Sequence, residues 1–469
     1  MYPNKTEVVY STWTPRASKM KDVNEVVVFG LQAFIKDRLQ GLFDRNFFQK
    51  KKEEVVSDYA RIISGTLGVK NPDTKHIEDL HDLGYLPLCI RALPEGSVAP
   101  LRTPMITIHN TDPRFFWLTN YIETLMSCEL WQPSTSATIA REYRKRFNEW
   151  AIITGSPTDF IKFQGHDFSM RGMSSLMSAI NSGMGHLLSF YGTDTIPAIQ
   201  GAEYLYGADV TKEVIGLSVP ATEHSIQCTY GDDTQYIKDM ITKVHPSGIV
   251  SVVSDGYDFW KVMTEILPSL KEEIMSRDGK LVIRPDSGDP VKIVCGDPEG
   301  KTEAERKGAV QILWETFGGT RNAKGYATLN EHIGLIYGDA ITLRRAEDIL
   351  QSLAEKGFAA NNVVFGIGSY TYQYNTRDTF GFALKSTLAV IDGKEVQIFK
   401  DPKTDDGVKK SQKGRVIVLK DGDSLKSIDG FSLSDVVSGD QLREVYRDGQ
   451  LKVEQTFSEI RERLWNNAF

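Results

Sequence analysis

The chain has 469 residues, 41% of them hydrophobic and 25% charged, with a formal net charge of −7. This composition describes a globular protein of two to three domains and excludes a disordered chain. The acidic balance argues against a general nucleic-acid binder, while leaving room for a local basic pocket that takes an anionic small molecule.

The opening "MYPNKTEVVYSTWTPR" lacks a basic region followed by an apolar run, so it does not read as a secretory signal. No stretch approaches the roughly 18 unbroken apolar residues of a membrane helix. Next, "VNEVVVFGLQAFIKDRLQGLF" passes from a β-branched run into helical spacing, and "FFQKKKEEVVSDYARIISGTLG" predicts a helix whose lysine–glutamate run is a solvated face. "PLCIRALPEGSVAPLRTPMITIHNTDP" breaks into short β runs at proline and glycine turns, and "RFFWLTNYIETLMSCELW" returns to helical spacing. Cys89, Cys128, Cys228 and Cys295 are scattered, with no C-x-x-C pair. Neither a zinc site nor a disulfide framework is expected, and a cytoplasmic location is the simple reading.

The middle of the chain has a different rhythm. "GIVSVVSDGYDFW", "GKLVIRPDSGDP", "HIGLIYGDAITLRRAEDIL" and "NNVVFGIGSYTYQ" each run a short apolar strand into polar, turn-prone residues, at intervals long enough for helices. That pattern predicts a (β/α) barrel with its chemistry at the C-terminal strand ends; a doubly wound sheet gives a similar rhythm and stays open. Beyond about residue 385, "TLAVIDGKEVQIFKDP" and "GRVIVLKDGDSLKSI" read as β hairpins, and "FSEIRERLWNNAF" as a closing helix.

Several constellations could carry chemistry. "FQGHDFSMRGMSS" places Phe168 and Arg171 three apart, an aromatic face and a guanidinium suited to a flat heteroaromatic ring. "SFYGTDTIPA" offers Asp194, either a turn cap or an acceptor that favours an amide over an acid. "LSVPATEHSIQ" sets Glu223 beside His224 after a proline-marked strand end. "IRPDSGDP" puts Arg284 and Asp286 on one side of the chain, as an ion pair or as partners for a phosphate and for sugar hydroxyls or hydrated magnesium. "FGIGS" is either a tight turn or a close backbone approach to phosphate. "CGDPEGKTEAE" is one residue short of a Walker loop and reads as a surface turn. Arg377, Lys385, Lys400, Lys409 and Lys410 form either solvated hairpin charges or a site for a multiply charged anion.

Taken together, "ALPEGSVAP", "NTDPRFFWLTNYIET", "HDFSMRG", "GTDT", "SVPATEHS", "SVVSDGYD", "IRPDSGDP", "YGDAI", "NTRD" and "IFKDP" resemble the nicotinamide phosphoribosyltransferase family of type II phosphoribosyltransferases over essentially the whole chain. The resemblance implies an irregular (β/α) barrel over residues 156–384 and a mixed α+β domain built from 1–155 with 385–469. It implies a homodimer with shared active sites, and the joining of nicotinamide to 5-phosphoribosyl 1-pyrophosphate. Magnesium would accompany the pyrophosphate groups, and ATP would be a co-substrate. Carried over by motif, Phe168 and Arg171 would hold the ring, and Asp194 would select amide over acid. Ser218 and Ser251 would line the substrate site. Arg284, Asp286, Gly338 and Asp339 would contact the ribosyl phosphate, and Gly368, Ser369, Arg377 and Lys385 would bind phosphate. Arg16, Lys400 and Lys409 would attend the pyrophosphate or ATP. His224 would accept phosphate from ATP, oriented by Glu223 or Asp255.

Two departures accompany the resemblance. Relatives carry an Asp-x-Tyr-Lys segment ahead of the position matching Tyr2-Pro3, whose tyrosine stacks on the ring across the dimer interface. Either the start lies upstream, or one aromatic wall is missing, at a cost to ring binding of about 1 kcal/mol or more. Ser369 also stands where animal relatives have glycine. The rival readings are a nicotinate-preferring enzyme and a catalytically weak binding protein with the same fold.

Overall fold

The computed structural model of the chain describes residues 2–400 and 412–466. It divides into two compact units, one of residues 1–138, 201–209 and 375–469 and one of 139–200 and 210–374. The first division falls after Thr138, inside the helix Leu118–Thr154, and not at residue 155. That helix continues through Pro133.

The first unit is built on a seven-stranded antiparallel sheet in the order Lys394–Gln397, Ala383–Ile391, Thr6–Thr14, Ile106–Asn110, Leu88–Ala92, Arg443–Arg447, Gln450–Leu451. One face of it is apolar: Trp13, Ile106, Ile108, Leu88 and Ile90 join the core with Phe34, Phe115 and Phe382. The hairpin between Ala383–Ile391 and Lys394–Gln397 turns at Asp392-Gly393, both with positive φ (49° and 70°), as its D-G signal predicts. Buried Glu95 ties residues 201–209 into this unit, accepting from the backbone N–H of Gly30 (2.9 Å) and Gln32 (2.6 Å) and from the Tyr206 hydroxyl (2.9 Å).

The second unit contains six parallel strands: β1 Gly165–Asp167, β2 Gly192–Thr193, β3 Ser247–Val253, β4 Asp278–Arg284, β5 Ile333–Tyr337 and β6 Val363–Ile367. β2 pairs with β1, β1 with β6, β6 with β5, β5 with β4, and β4 with β3. The remaining gap is bridged by Leu217–Ala221. Leu217 pairs with Gly192, and Ala221 with Ser251, through Thr193 N–H to Leu217 O (2.9 Å) and Ser251 N–H to Pro220 O (2.9 Å). Each neighbour around the ring is therefore the next in sequence, and the last strand returns to the first. This singly wound order is an irregular (β/α) barrel and not a doubly wound sheet. Along the strands Val250, Val252, Leu281, Ile283 and Val363 are buried and alternate with Ser251, Val282 and Val364, which line a common cavity. The Walker-like stretch is a surface turn: Thr302 caps Glu303–Lys307 in a reciprocal box with Glu305.

Candidate active site

All seven slats of the barrel end, on their C-terminal side, in a polar or glycine residue singled out from the sequence. Phe168 and Arg171 follow β1, Asp194 follows β2, and Glu223 with His224 follows the Leu217–Ala221 segment. Asp255 follows β3, Arg284 and Asp286 end β4, Gly338 and Asp339 follow β5, and Gly368 with Ser369 follows β6. Barrels gather their reactive groups at this end because parallel strands point the same way and the βα turns are free to vary.

His224 opens the short helix His224–Tyr230, which is fixed to the tip of β3 by Gly256 N–H donating to buried Gln227 (3.0 Å). Its Nε2 lies 3.0 Å from Asp255 Oδ1, and its side chain is 45% exposed while that of Asp255 is 3% exposed. Burial alone would raise the Asp255 pKa. Hydrogen bonds from the Ser287 hydroxyl (2.6 Å), the Asp286 N–H (2.9 Å) and His224 outweigh it and hold the carboxyl below its ordinary value. Of the two carboxylates expected to orient the imidazole, Asp255 makes the bond, whereas Glu223 accepts from the Ser225 hydroxyl.

A second cluster forms at β1 and β2. The half-buried Phe168 ring covers the backbone of two other strand ends: a Cβ on Gly366 would lie 2.4 Å from Phe168 Cδ2, and one on Gly338 3.0 Å from it. Glycine at both positions is what lets the ring lie flat over the strand ends. His166, two residues before Phe168 and so on the same side of β1, packs its ring at 4.8 Å from Phe168 and bonds Asp194 Oδ1 through Nε2 at 2.8 Å. Ser218 Oγ donates to the same oxygen at 2.6 Å. Oδ2 therefore has no bond among the described residues, on a side chain 44% exposed. Burial would raise the Asp194 pKa, but these two bonds and the charges of His166 and Arg284 leave it lowered, so the group is an ionised acceptor. His166 was missed from sequence; its place in "GHDF" at a period of two from Phe168 was the available signal.

These residues line a cavity of about 630 Å³ that also takes in Ser251 on β3 and apolar side chains of β4 and β5, such as Val282 and Leu335. The Ser251 hydroxyl is buried with no partner among the described residues. Arg171 is exposed. Arg284 donates from Nη2 to Thr222 O at 2.8 Å, leaving its buried Nε unpaired, and it makes no ion pair with Asp286.

The tips of β3, β4 and β5 are acidic. Burial and then the fields of Asp339, Asp255, Asp286 and Asp289 push the Tyr337 phenol well up. Among the described residues no cluster of three or more His, Cys, Asp or Glu could hold a metal by itself. Asp286 and Asp339 are single carboxylates that would suit a hydrated magnesium ion, because magnesium keeps several waters and few protein ligands.

The remaining candidates lie in the first unit. Arg16 donates from Nε to Gly381 O (2.9 Å), Arg377 pairs loosely with Asp378 (3.4 Å), and Lys385 projects from the strand opposite Thr12. Arg377 and Lys385 both act on Glu123, whose pKa burial nevertheless raises. Lys400 is exposed, and Lys409 lies outside the described residues.

Comparison with known proteins agrees with this arrangement. The nicotinate phosphoribosyltransferase (NAPRTase) family profile matches residues 163–450. A nicotinamide phosphoribosyltransferase of Acinetobacter baylyi is 50% identical over 482 aligned residues, covering 99% of this chain and 94% of the relative. One of Xanthomonas campestris is 37% identical, covering 81% and 79%, and one of Mycoplasma pneumoniae is 34% identical, covering 86% and 90%. Two crystal structures share the fold: the nicotinate-nucleotide pyrophosphorylase of Pyrococcus furiosus (TM-score 0.59, 15% identity) and human nicotinic acid phosphoribosyltransferase (TM-score 0.58, 14% identity), each covering 99% of this chain and 90% of its own. With the seven-slat barrel and its ring of polar tips, these matches establish that the chain belongs to the nicotinate phosphoribosyltransferase family.

Proposed function

We propose that this chain is a nicotinamide phosphoribosyltransferase of NAD salvage, joining nicotinamide to 5-phosphoribosyl 1-pyrophosphate to give nicotinamide mononucleotide and pyrophosphate. The observation that carries the choice of base is Asp194. Its Oδ1 is held by His166 and Ser218 while Oδ2 has no bond among the described residues, on a residue that lines the same cavity as Phe168. An ionised carboxylate with a free oxygen accepts an amide N–H and repels a nicotinate carboxylate.

In the reaction, the bond from the ribosyl C1 to pyrophosphate breaks, the electron pair leaves with pyrophosphate, and the neutral pyridine nitrogen closes the new bond to C1. The centre becomes oxocarbenium-like, and carboxylates at the tips, Asp286 and Asp339 foremost, face that positive charge. When bound, magnesium supplies charge neutralisation to the leaving pyrophosphate. The protein's own work is positioning: Phe168 and Arg171 fix the ring plane, Asp194 the amide, and Arg284 the phosphate. The cations of the first unit, Arg16, Arg377, Lys385, Lys400 and Lys409, serve the phosphate groups, in our reading within a homodimer whose subunits share sites. ATP stimulates the reaction through His224. With its Nε2–H donated to Asp255, the imidazole keeps a lone pair on Nδ1, which attacks the terminal phosphorus of ATP as the bond to the bridging oxygen breaks and its electron pair leaves with ADP. The reaction belongs to the cytoplasm.

The test is the ratio of kcat/KM for nicotinamide over nicotinate. The wild-type protein should favour nicotinamide, and Asp194→Asn should cut that preference by about tenfold or more. Better turnover of nicotinate with Asp194 in place would sink the amide-selection argument. No product from either base would favour a binding protein that keeps the fold.

A further inference from the structure

The seven-stranded sheet of the first unit has a second face that the barrel chemistry does not use. Opposite its apolar core, the register aligns Tyr10, His109, Cys89 and Arg447 in one row across four strands. Thr107, Arg91 and Glu444 form the next row. An antiparallel sheet often turns a polar face to water. Here that face is roofed by residues 415–442, and a cavity of about 600 Å³ remains between sheet and roof. Tyr10 fastens the roof, its hydroxyl donating to Val416 O and accepting from Val416 N–H, both at 3.3 Å.

Among the residues lining this cavity, three guanidiniums (Arg91, Arg415 and Arg447) face two carboxylates (Asp440 and Glu444), while Asp448, whose field also reaches Arg447, is held by the Thr111 hydroxyl. Asp440 is shared by Arg91 (3.2 Å) and Arg415 (3.6 Å), and Glu444 is gripped by Arg447 through Nε (2.9 Å) and Nη2 (2.8 Å). Arg91 spends Nε and Nη2 on Leu442 O. The Nη1 groups of Arg91 and Arg447 therefore have no bond among the described residues. His109 lies in the register between Tyr10 and Cys89, with no hydrogen bond from its ring among the described residues. Burial, then the Arg447, Arg91 and Arg415 charges, holds its pKa down at about 4, so it adds no charge of its own.

We propose that this cavity is a second binding site, for a small molecule bearing a phosphate group. Glu444 is hydrogen-bonded by Arg447, and Asp440 Oδ2, buried without a hydrogen bond, lies within ion-pair distance of Arg91 and Arg415. The unspent donors are two arginine N–H₂ groups and an imidazole, a set that matches phosphate oxygens. Its volume falls within the range of small-molecule sites and exceeds a bare phosphate, and Val8, Leu433 and Leu442 supply apolar wall for an organic part. The proposal is independent of the chemistry assigned to the barrel.

The experiment follows the imidazole Cε1–H resonances of the full-length protein at neutral pH and fixed ionic strength; its eight histidines give a spectrum in which His109→Gln identifies one signal. Titration with inorganic phosphate should move the His109 resonance saturably, acetate should move it little, and Arg447→Met should weaken the phosphate response about tenfold or more. A His109 signal indifferent to phosphate overturns the site. A stronger response to acetate overturns the phosphate assignment. Should Arg447→Met fail to fold, the wild-type titrations decide the matter alone.

Discussion

His224→Ala should retain slow synthesis of nicotinamide mononucleotide and lose its response to ATP entirely. The imidazole is exposed enough to meet a nucleotide, yet one nitrogen is anchored 3.0 Å from a carboxylate that is itself buried. That geometry suits a nucleophile and is wasted on a surface histidine. The groups proposed to hold ribose and base lie on other strand tips, so the basal reaction should survive. Asp255→Asn keeps the shape and removes the charge. It should depress ATP-dependent stimulation by up to about 10⁴-fold, as loss of the orienting carboxylate does in a catalytic triad, and it should also loosen Ser287 and the Asp286 backbone, which Asp255 binds through Oδ2. The measurements are initial rates with and without ATP, and retention of label on the protein from terminally labelled ATP. Full stimulation in His224→Ala would remove the histidine from the mechanism.

Gly366→Ala carries the second large effect, and it is one of packing. The added methyl would sit 2.4 Å from Phe168 Cδ2 and 2.7 Å from Gly338 Cα, in a strand where both neighbours, Phe365 and Ile367, are fully buried. Overpacking of this kind costs about 1–3 kcal/mol, and a unit of this size loses about 2–4 °C in Tm for each of those. The ring must also swing away from the strand ends, so KM for nicotinamide should rise even in whatever fraction remains folded. Combining Gly366→Ala with Phe168→Ala removes one of the two clashes. The pair should be less destabilised than the two single changes added together, while ring binding stays poor. A Gly366→Ala protein with unchanged Tm and KM would show that the slot is not set by these contacts.

What could be read from the sequence follows from residue type. β3 to β6 were legible because Val, Ile and Leu runs ended in Ser-Asp-Gly, Arg-Pro-Asp, Gly-Asp and Gly-x-Gly-Ser. β1 and β2 are three and two residues long, "GHD" and "GT", with no apolar run to mark them. The Leu217–Ala221 slat pairs through isolated bridges, so only its place in the ring reveals it. Among site residues, Phe168, Asp194, His224 and Asp255 were visible as chemistry beside turns. The partition between Glu223 and Asp255 was not, because it depends on which carboxylate the helix His224–Tyr230 points toward.

The strand order of the first unit has a consequence during synthesis. Its three middle strands, Thr6–Thr14, Leu88–Ala92 and Ile106–Asn110, leave the ribosome early, whereas both flanks, Ala383–Ile391 and Arg443–Arg447, come from the last fifth of the chain. The barrel segments all emerge in between. The nascent protein thus carries a three-stranded ribbon with two bare edges while an entire other unit is translated, and such edges invite pairing with neighbouring chains. Slowing translation after the barrel should therefore lengthen the hazard.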